Sequence, residues 1–453
     1  MAWLRTLLVI LCGLTLLADV ASAAWKAGAA KILITPDKPI WMAGYGSRDH
    51  PAEGTAQELY AKALVLEDER GRRAVLLTTD MLGFPRELAG RVTRRLEQEH
   101  GFERDRVLLN SSHTHAGPAV GRMLAAAYPK MTTAHWNDVA AYTAELEDKL
   151  VRVSTEALKK LAPAEVSFGH TRAGFAVNRR LKTPAGYRGG SVNWEGPVDH
   201  DVPILRVKSQ TGALLAVVFG YACHNTAIGG DYYKFHGGWS GTVQHVLEEQ
   251  LPGAVVLFVA GCGADINPYP RPGVQFADMH GKAMATMVSR AIKRPLQSVD
   301  GPLRTAYEEF PLDFAKPPSR KDFEEMLREG NAYRKFHARE MLKTLDRDGR
   351  LPGSYPYPVQ VWRFGDDLTL IALGGEVVVD YALRLKRELG AEKLWVAGYS
   401  NHMPGYIPSL RVLTEGGYEA GGAMIYYMRP GPFTPSVEET IIAKIHELLA
   451  RTR

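Results

Sequence analysis

Residues 74–118 read AVLLTTDMLGFPRELAGRVTRRLEQEHGFERDRVLLNSSHTHAGP and carry the clearest information about the fold. Two short runs rich in valine and leucine, Ala74–Thr79 and Arg106–Ser111, have the composition of buried strands. Between them, Arg86–His100 is amphipathic at helical spacing. A strand, a helix and a second strand in this order predict parallel pairing of the two strands in an α/β domain.

The same alternation continues along the chain. It predicts further strands at Leu214–Ala222, Ala254–Ala260, Val359–Phe364 and Leu368–Leu373, and further helices at about Ser240–Glu249, Ala277–Ile292, Lys321–Leu345, Val379–Leu389 and Val437–Leu449. The charged segment Lys321–Leu345 is interpreted as one long surface helix. Because we find no repeat, low-complexity tract or linker, the sequence predicts one large α/β domain over residues 24–453. Its central sheet is expected to be largely parallel or mixed and flanked by helices.

The amino terminus has the layout of a cleavable secretory signal. Arg5 precedes the apolar run Leu7–Leu17, and small residues two apart follow before Ala24. We therefore expect residues 1–23 to be a signal peptide and the mature chain to be exported, either to the periplasm or out of the cell. Cys12 follows Leu11 rather than a small residue, so a lipoprotein signal is the weaker alternative.

The composition argues against nucleic-acid binding and allows two states for the cysteines. The chain has 55 Lys and Arg against 50 Asp and Glu, a formal charge of +5 without clustering. This gives no reason to expect a nucleic-acid partner. Outside the signal, Cys223 and Cys262 are the two cysteines. Export would allow them to pair, but two separately buried thiols fit the sequence equally well.

The motif His113-Thr114-His115 lies where a predicted strand runs into a glycine–proline turn. Side chains at i and i+2 of an extended segment project from the same face, so both rings can converge on one metal ion or one substrate atom. A pair of hydrogen-bonded loop histidines would have the same spacing. The motif alone does not decide between these alternatives.

Other polar residues also follow predicted strands. Asp80, His224, Asp265 and Asn267 stand just after the runs that end near residues 79, 222 and 260. In open α/β sheets, functional residues gather beyond the carboxyl ends of strands. We therefore expect these side chains to lie near the two histidines.

Taken together, several motifs resemble the neutral/alkaline non-lysosomal ceramidase family. They are Ile34–Pro36 (ITP), Met42–Gly46 (MAGYG), His113–Pro118 (HTHAGP), Ala222–Thr226 (ACHNT), Gly374–Glu376 (GGE), and the tyrosine-bearing stretches Gly405–Pro408 and Tyr418-Glu419. The resemblance extends over nearly the whole mature chain and depends on the ensemble of motifs.

The resemblance implies one Zn²⁺ per chain, bound by His113, His224, Glu376 and Tyr406. Two imidazoles and a carboxylate are a common catalytic zinc set, whereas a phenolate is an unusual ligand. Glu376 could instead be a carboxylate at a helix start. Tyr399 and Tyr418 compete with Tyr406 for the fourth place.

Further site residues follow from the same resemblance. His115 would serve in hydrogen bonding or proton transfer near the zinc-bound water and the scissile amide. Tyr418 would donate to the oxyanion, together with an arginine that resembles Arg179, although Arg180 could be the one that points inward.

The chain departs from the family at two places. The family has a serine where Asn267 stands here, and an amide cannot replace an alkoxide, so attack by this residue through an acyl-enzyme is not expected. Asn267 could still position water or donate to a carbonyl oxygen. Family members of the best-known kind also carry a β-sandwich domain after the catalytic one, whereas this sequence stops at Arg453.

The resemblance implies an exported, zinc-dependent amidohydrolase that cleaves the N-acyl bond of ceramide or a related N-acyl lipid by attack of metal-bound water. Its partners would be such a lipid or another small amide and, transiently, a membrane surface. The alternatives are a zinc-dependent esterase or phosphoesterase, and a zinc-holding binding protein without turnover. The oligomeric state is not predicted.

Overall fold

The computed structural model describes residues 25–453. The predicted signal peptide lies outside these residues. The strands are β1 (Trp25–Leu33), β2 (Gly54–Thr55), β3 (Tyr60–Asp68), β4 (Arg73–Thr79), β5 (Val107–Ser111), β6 (Ala162–Arg172), β7 (Ala176–Asn178), β8 (Leu181–Thr183), β9 (Gly186–Arg188), β10 (Asp201–Ser209), β11 (Leu214–Tyr221), β12 (Lys234–Phe235), β13 (Val255–Ala260), β14 (Ile266–Pro268), β15 (Gln297–Ser298), β16 (Leu303–Asp313), β17 (Ser354–Phe364), β18 (Leu368–Gly374), β19 (Glu376–Val377), β20 (Leu394–Ser400) and β21 (Tyr406–Ile407).

Nine α-helices and three short 3₁₀ helices are found within the same residues. The α-helices are α1 (Arg86–His100), α2 (Thr133–Lys159), α3 (Gly238–Gln250), α4 (Val274–Ala291), α5 (Arg320–Glu329), α6 (Ala332–Asp348), α7 (Val379–Leu389), α8 (Leu410–Glu415) and α9 (Val437–Arg451); the 3₁₀ helices are Arg104–Arg106, Ala125–Ala127 and Gly422–Ile425. None of the helices between residues 25 and 453 is both long and apolar enough to span a bilayer.

The predicted central sheet is confirmed as a mixed sheet of thirteen strands. The strand order is β13-β11-β10-β6-β1-β3-β4-β5-β20-β18-β17-β16, and β15 pairs with β6. Three pairs are parallel: β4 with β5, β11 with β13, and β18 with β20. The remaining pairs are antiparallel, because hairpins such as β3–β4 and β16–β17 build most of the sheet. The largely parallel alternative is therefore not what the chain adopts.

Both faces of the sheet are buried. Alternate residues of β4 and β5, including Val75, Leu77 and Leu109, belong to the large core shared with the helices. Their neighbours Leu76 and Leu108 join a second core made almost entirely of strand side chains. Since strands expose alternate faces with a period of two, this pattern requires apolar layers on both sides. The sheet therefore folds over itself, and β13 packs against β3, β5 and β20.

Asn110 ties these layers together at the edge that carries the His-Thr-His motif. Its side chain is fully buried, donates to Gly398 O at 2.8 Å, and accepts from Ala260 N at 2.9 Å. It therefore joins β5 to both β20 and β13. A buried amide with all its hydrogen bonds satisfied fixes a unique arrangement of its neighbours. The three strand ends are held together just before His113 begins.

The prediction of one helix over Lys321–Leu345 is wrong. Two helices, α5 and α6, form a hairpin instead. Gly330 has an extended backbone that ends α5, and the Asn331 side chain accepts from Arg334 N to cap α6. Both halves of the segment are helical, as its periodicity predicts, but Gly330 ends the first helix and Asn331 begins the second. The hairpin closes on its own small core, which includes Phe323 and Met341.

Candidate metal centre and active site

Three side chains from separate strand ends meet at the edge of the sheet. His113 follows β5, His224 follows β11, and Glu376 begins β19. The Nε2 atom of His113 lies 3.2 Å from Glu376 Oε2, and that of His224 lies 3.0 Å from the same oxygen. All three side chains are buried, with at most 3 % exposed. The structure thus brings together three of the four predicted zinc ligands.

The orientation of the two rings suits metal binding. His113 Nδ1 is 2.6 Å from Leu82 O, and His224 Nδ1 is 2.7 Å from Gly263 O. A carbonyl can only accept, so each Nδ1 carries a proton, and in the neutral ring each Nε2 then presents a lone pair. Among the described residues, neither Nε2 nor Glu376 Oε2 has a hydrogen-bond partner. Three buried, proton-free acceptors facing one point are the donor set that Zn²⁺ takes.

His115 is a further candidate for the metal. One ring nitrogen from each of His113, His115 and His224 can be chosen so that all three lie within 4.8 Å of one another. Neither nitrogen of His115 has a hydrogen-bond partner within residues 25–453. The ring packs on Tyr45, and a Cβ at Gly44, where φ is +98°, would lie 2.6 Å from His115 Nδ1. The glycine therefore leaves room for this ring beside the other two histidines.

The protein holds this centre under local strain. His113 has φ of +55° and Tyr399 has φ of +50°, both in the left-handed region that residues other than glycine seldom adopt. Such residues cluster at functional sites, where surrounding contacts maintain them. Tyr399, one of the two competitors of Tyr406 in the sequence, places its hydroxyl 3.2 Å from His224 Nδ1. Tyr399 therefore contacts the His224 ring at Nδ1, the nitrogen that does not face Glu376.

Tyr427 was missed by sequence reasoning. Its hydroxyl donates to Glu376 Oε1, the oxygen that faces away from the histidines. The alternative of Glu376 as a helix-start carboxylate is not realised, because the first N–H of α7, on Val379, is accepted by Asp265 Oδ1 at 2.9 Å. Asp265, expected near the histidines, thus acts as the cap. Burial raises the pKa of Asp265 to about 6, with the Asp380 carboxylate adding to the shift.

Arg179, rather than Arg180, reaches the site. Its Nη2 donates to Tyr406 Oη at 3.0 Å, and its Nη1 lies 3.4 Å from Asn267 Oδ1. Glu419, which is fully buried, accepts from Arg179 Nε at 2.8 Å and from Arg180 Nη1 at 2.6 Å. Arg180 continues to Glu415 on the far side. Glu419, also missed from the sequence, fixes which arginine faces the centre.

Tyr406 lies on the β21 strand, directly opposite Glu376 in a short parallel ladder. This pairing places the predicted fourth ligand beside the predicted third, although only the two-residue strands hold them together. Burial raises the pKa of the Tyr406 hydroxyl well above its usual value, and the Glu376 carboxylate raises it further while Arg179 opposes. Without a metal, Tyr406 is therefore a neutral hydroxyl.

The charge states of the other groups suit metal binding. Burial lowers the pKa of His224 to about 4, with Arg179 contributing. Burial also lowers the pKa of His115 well below its usual value. Burial opposes a charge on Glu376, whereas a proton on the ring of His113 or His224 holds the pKa of this carboxylate well below its usual range. At neutral pH His115 and His224 are unprotonated and the carboxylate is charged, as metal binding requires.

A cavity of about 240 Å³ opens onto the centre. Its wall consists of Gly44, Tyr45, Gly46, Ser47, Leu82, His113, His115, Leu124, Ala127, Tyr333, Glu376, Tyr406, Tyr418, Tyr426 and Tyr427. Tyr418 lies there and is 40 % exposed. Tyr333 comes from α6 and donates to Gly46 O at 2.8 Å, so the helical hairpin forms part of the wall. Six tyrosines and no lysine or arginine give an uncharged approach to the metal ligands.

The remaining predicted residues have other partners. Asn267 Oδ1 accepts from Thr226 Oγ1 at 3.1 Å as well as from Arg179, so it lies behind Tyr406 rather than on the cavity wall. Asp80 accepts from Tyr60 N and Gln244 and turns away from the site. Cys223 and Cys262 are both free and buried. The alternative of two separate thiols is the one that the structure adopts.

Comparison with known proteins agrees with this site. Residues 25–264 match the family described as neutral/alkaline non-lysosomal ceramidase, N-terminal. This is more than half of the chain, so the chain belongs to that family.

Individual relatives are distant. The neutral ceramidase of Drosophila melanogaster is 34 % identical over 124 residues, which are 26 % of this chain and 16 % of that protein. The matched segments cover 15 % to 34 % of the lengths of the curated relatives, far less than two thirds. The neutral ceramidase structure from Pseudomonas aeruginosa has a TM-score of 0.73 at 18 % identity, covering 94 % of this chain and 74 % of that one. A ceramidase complexed with C2 gives 0.74 at 17 % identity, covering 94 % and 75 %. These two likenesses establish the fold.

Tyr427→Phe tests whether the tyrosine behind Glu376 supports the metal. The change removes one donor to Glu376 and should weaken zinc affinity by about 10- to 100-fold, the usual effect of losing an outer-shell hydrogen bond. Competition with a chelating dye measures the affinity. Tyr426→Phe is the matched control, since Tyr426 lines the same cavity without a side-chain hydrogen bond among the described residues. Equal affinities for the two variants would contradict the assignment of Tyr427.

Proposed function

We propose that this protein is an exported, zinc-dependent amidohydrolase that cleaves the N-acyl bond of ceramide or a related N-acyl lipid. The observation that carries the proposal is the meeting of His113 Nε2, His224 Nε2 and Glu376 Oε2, all buried and without a hydrogen-bond partner in residues 25–453. Membership of the ceramidase family and the fold shared with a ceramidase complexed with C2 support the substrate class. The signal-like residues 1–23 support export.

His113, His224 and Glu376 would hold the metal, with Tyr406 as the fourth ligand or His115 in its place. A bound Zn²⁺ supplies Lewis acidity, which activates water near neutral pH and polarises the substrate carbonyl. Tyr406 can serve as a ligand only as a phenolate, so loading the site would release its proton. Arg179, 3.0 Å from the Tyr406 oxygen, would stabilise that negative charge.

Hydrolysis breaks the amide C–N bond, adds hydroxide to the acyl carbon and gives a proton to the leaving nitrogen. If Tyr406 completes the ligand set, His115 carries that proton, because burial keeps its imidazole neutral and both nitrogens lack a protein partner among the described residues. Tyr418 donates to the oxyanion. It lies on the cavity wall, and although the residue is partly exposed, desolvation of the hydroxyl and the nearby Glu376 charge raise its pKa, which keeps the hydroxyl protonated.

Asn267 is a positioning residue in this scheme. Its carbonyl oxygen accepts from Arg179 and Thr226, which fixes the arginine against Tyr406. Asn267 has no nucleophilic atom, and Cys262 is fully buried, which raises the pKa of its thiol. Water is therefore the nucleophile, and no acyl group is transferred to the protein.

The other two functions are less well supported. Phosphoester hydrolysis needs cationic groups around a dianion, and the cavity wall contains no lysine or arginine. A zinc-holding binding protein would not need His115 and Tyr418 facing the cavity without side-chain hydrogen bonds in the described part of the chain. An esterase has the same requirements as an amidase, so only turnover distinguishes them.

A substrate panel tests the proposal. Zinc-loaded protein is incubated with N-acyl sphingosines of several acyl lengths, with matched fatty-acid esters and with aryl phosphates, and mass spectrometry follows the products. We expect equal amounts of fatty acid and free amine from the amides, and much slower reaction of esters and phosphates. The Glu376→Ala variant controls for contaminating hydrolases. Turnover of phosphates or esters without amides would exclude the amidase function.

Tyr418→Phe separates the oxyanion donor from metal binding. The loss of one donor should lower kcat by roughly 10²-fold while zinc content stays at the wild-type level, because Tyr418 contacts no proposed ligand by a hydrogen bond. Steady-state kinetics and elemental analysis on the same preparation measure both quantities. Tyr426→Phe is again the control, since it removes a hydroxyl from the same wall. Unchanged kcat in Tyr418→Phe would remove this residue from the mechanism.

A further inference from the structure

A second cavity, of about 400 Å³, has no role in the proposed hydrolysis. We name it the arginine cavity, and it is lined by Arg70, Arg72, Asp105, Arg106, Leu303, Arg304, Thr305, Arg451 and Arg453. Six of the nine residues are arginines, against one aspartate. Concave surfaces lined by one sign of charge concentrate counter-ions. The cavity is thus a candidate anion site.

The arginine cavity lies at the opposite end of the strands from the metal centre. Arg72 directly precedes β4 and Arg106 directly precedes β5, whereas His113 follows the far end of β5. At about 3.3 Å per residue, strands of this length separate the two sites by roughly 20 Å. A ligand in the arginine cavity would therefore not touch the catalytic cavity, and its existence does not depend on the proposed function.

Two aspartates hold the walls of the arginine cavity in place. The buried Asp68 accepts from Arg70 N at 2.9 Å and Arg72 N at 2.8 Å, and its other oxygen accepts from Leu303 N at 2.9 Å. This locks the β3–β4 turn against the start of β16. Asp105 accepts from Thr305 Oγ1 at 2.7 Å, which ties the 3₁₀ helix before β5 to the same strand. The arginines thus project from a prearranged backbone.

Several of these arginines have no carboxylate partner. Arg106 pairs with Glu103 and Arg451 with Glu308. Arg70, Arg72 and Arg304 form no salt bridge within the described part of the chain, and the only side-chain hydrogen bond among them is from Arg72 to Leu303 O at 3.4 Å. In these three arginines the guanidinium charge is not paired with a carboxylate, and Asp105 is the one acidic side chain among the wall residues.

The β16–β17 ladder adds to this repulsion. Arg304 stands directly opposite Arg363, and like charges at opposed positions destabilise a sheet. Arg363 Nη2 donates to Asp366 Oδ1 at 3.4 Å, whereas its buried Nε lacks a hydrogen-bond partner within residues 25–453. Asp366 compensates Arg363 in part, whereas Arg304 has no carboxylate partner in the described residues, so a bound anion beside Arg304 would offset the remaining repulsion.

We propose that the arginine cavity binds a compact phosphate-bearing polyanion. Guanidinium groups match the planar pairs of oxygens on phosphate and donate two hydrogen bonds to each pair. The volume is in the range of small-ligand sites, and Leu303 is the one apolar side chain in the wall. Charge, rather than apolar contact, would select the ligand. A free phosphate ester and a phospholipid headgroup both present this chemistry.

The test uses the zinc-loaded full chain and sodium pyrophosphate, followed by isothermal titration calorimetry at low ionic strength, where charge interactions are least screened. We expect saturable binding that weakens at least about tenfold in the double variant Arg70→Gln/Arg304→Gln, since each arginine offers charge-assisted hydrogen bonds. Neither side chain makes a hydrogen bond or ion pair in residues 25–453, so the double variant should keep its fold. Its thermal unfolding curve checks this.

The matched control is Arg152→Gln/Arg290→Gln, which removes two exposed arginines on α2 and α4 that have no side-chain partner among residues 25–453. Pyrophosphate can also bind zinc, but the metal centre is present in all three proteins and contributes equally. Phosphatidylcholine vesicles with and without phosphatidic acid, examined by co-sedimentation, distinguish a lipid headgroup from a free ester. The proposal is supported if the cavity variant, but not the control, loses binding to pyrophosphate or to the phosphatidic acid vesicles. The probe that loses binding shows whether the ligand is a free phosphate ester or a lipid headgroup. Absence of binding by the wild-type chain to both probes, or equal binding by all three proteins, overturns it.

Discussion

The candidate active site depends on one unusual contact, a buried carboxylate beside two imidazole nitrogens that are turned toward it without protons to share. Glu376 Oε2 lies within 3.2 Å of both Nε2 atoms. Leaving such acceptors buried and unpaired is unfavourable, and a divalent cation is the group that satisfies all of them at once. Other features of the site follow from keeping this contact in place.

Two sets of groups in the fold hold the histidines and Glu376 in place. Leu82 and Gly263 carbonyls orient the two histidines, while the hydroxyl of Tyr427 holds the outer oxygen of the glutamate. Behind these groups, Asn110 joins three strands through hydrogen bonds that leave its side chain fully satisfied. These contacts form the floor of a cavity with six tyrosines in its wall. Tyrosine side chains can pack against an apolar chain and still donate hydrogen bonds near the reacting carbonyl.

Sequence alone predicted the strand–helix alternation and the strand ends at which His113, His224 and Asn267 stand, because buried strands and polar strand ends leave clear local signals. It did not predict Glu419 or Tyr427. Their partners are more than fifty residues away, Tyr427 lies in no motif, and Glu419 belongs to one only as the neighbour of Tyr418, without a predicted role of its own. Tyr406 could be proposed only from family resemblance, since two-residue strands such as β19 and β21 have no periodicity to detect. The direction of the strands was harder to predict, because most pairs are antiparallel and depend on hairpin pairing. The division of Lys321–Leu345 into two helices depends on a single Gly-Asn pair.

Zinc content measured together with N-acyl sphingosine hydrolysis tests the central claim most directly. The account predicts about one zinc per chain in the wild-type protein, loss of metal and activity together on chelation, and recovery of both when zinc is returned. It also predicts that Glu376→Ala binds zinc far more weakly and is inactive. A metal-free preparation that hydrolyses the amide at the full rate would contradict it.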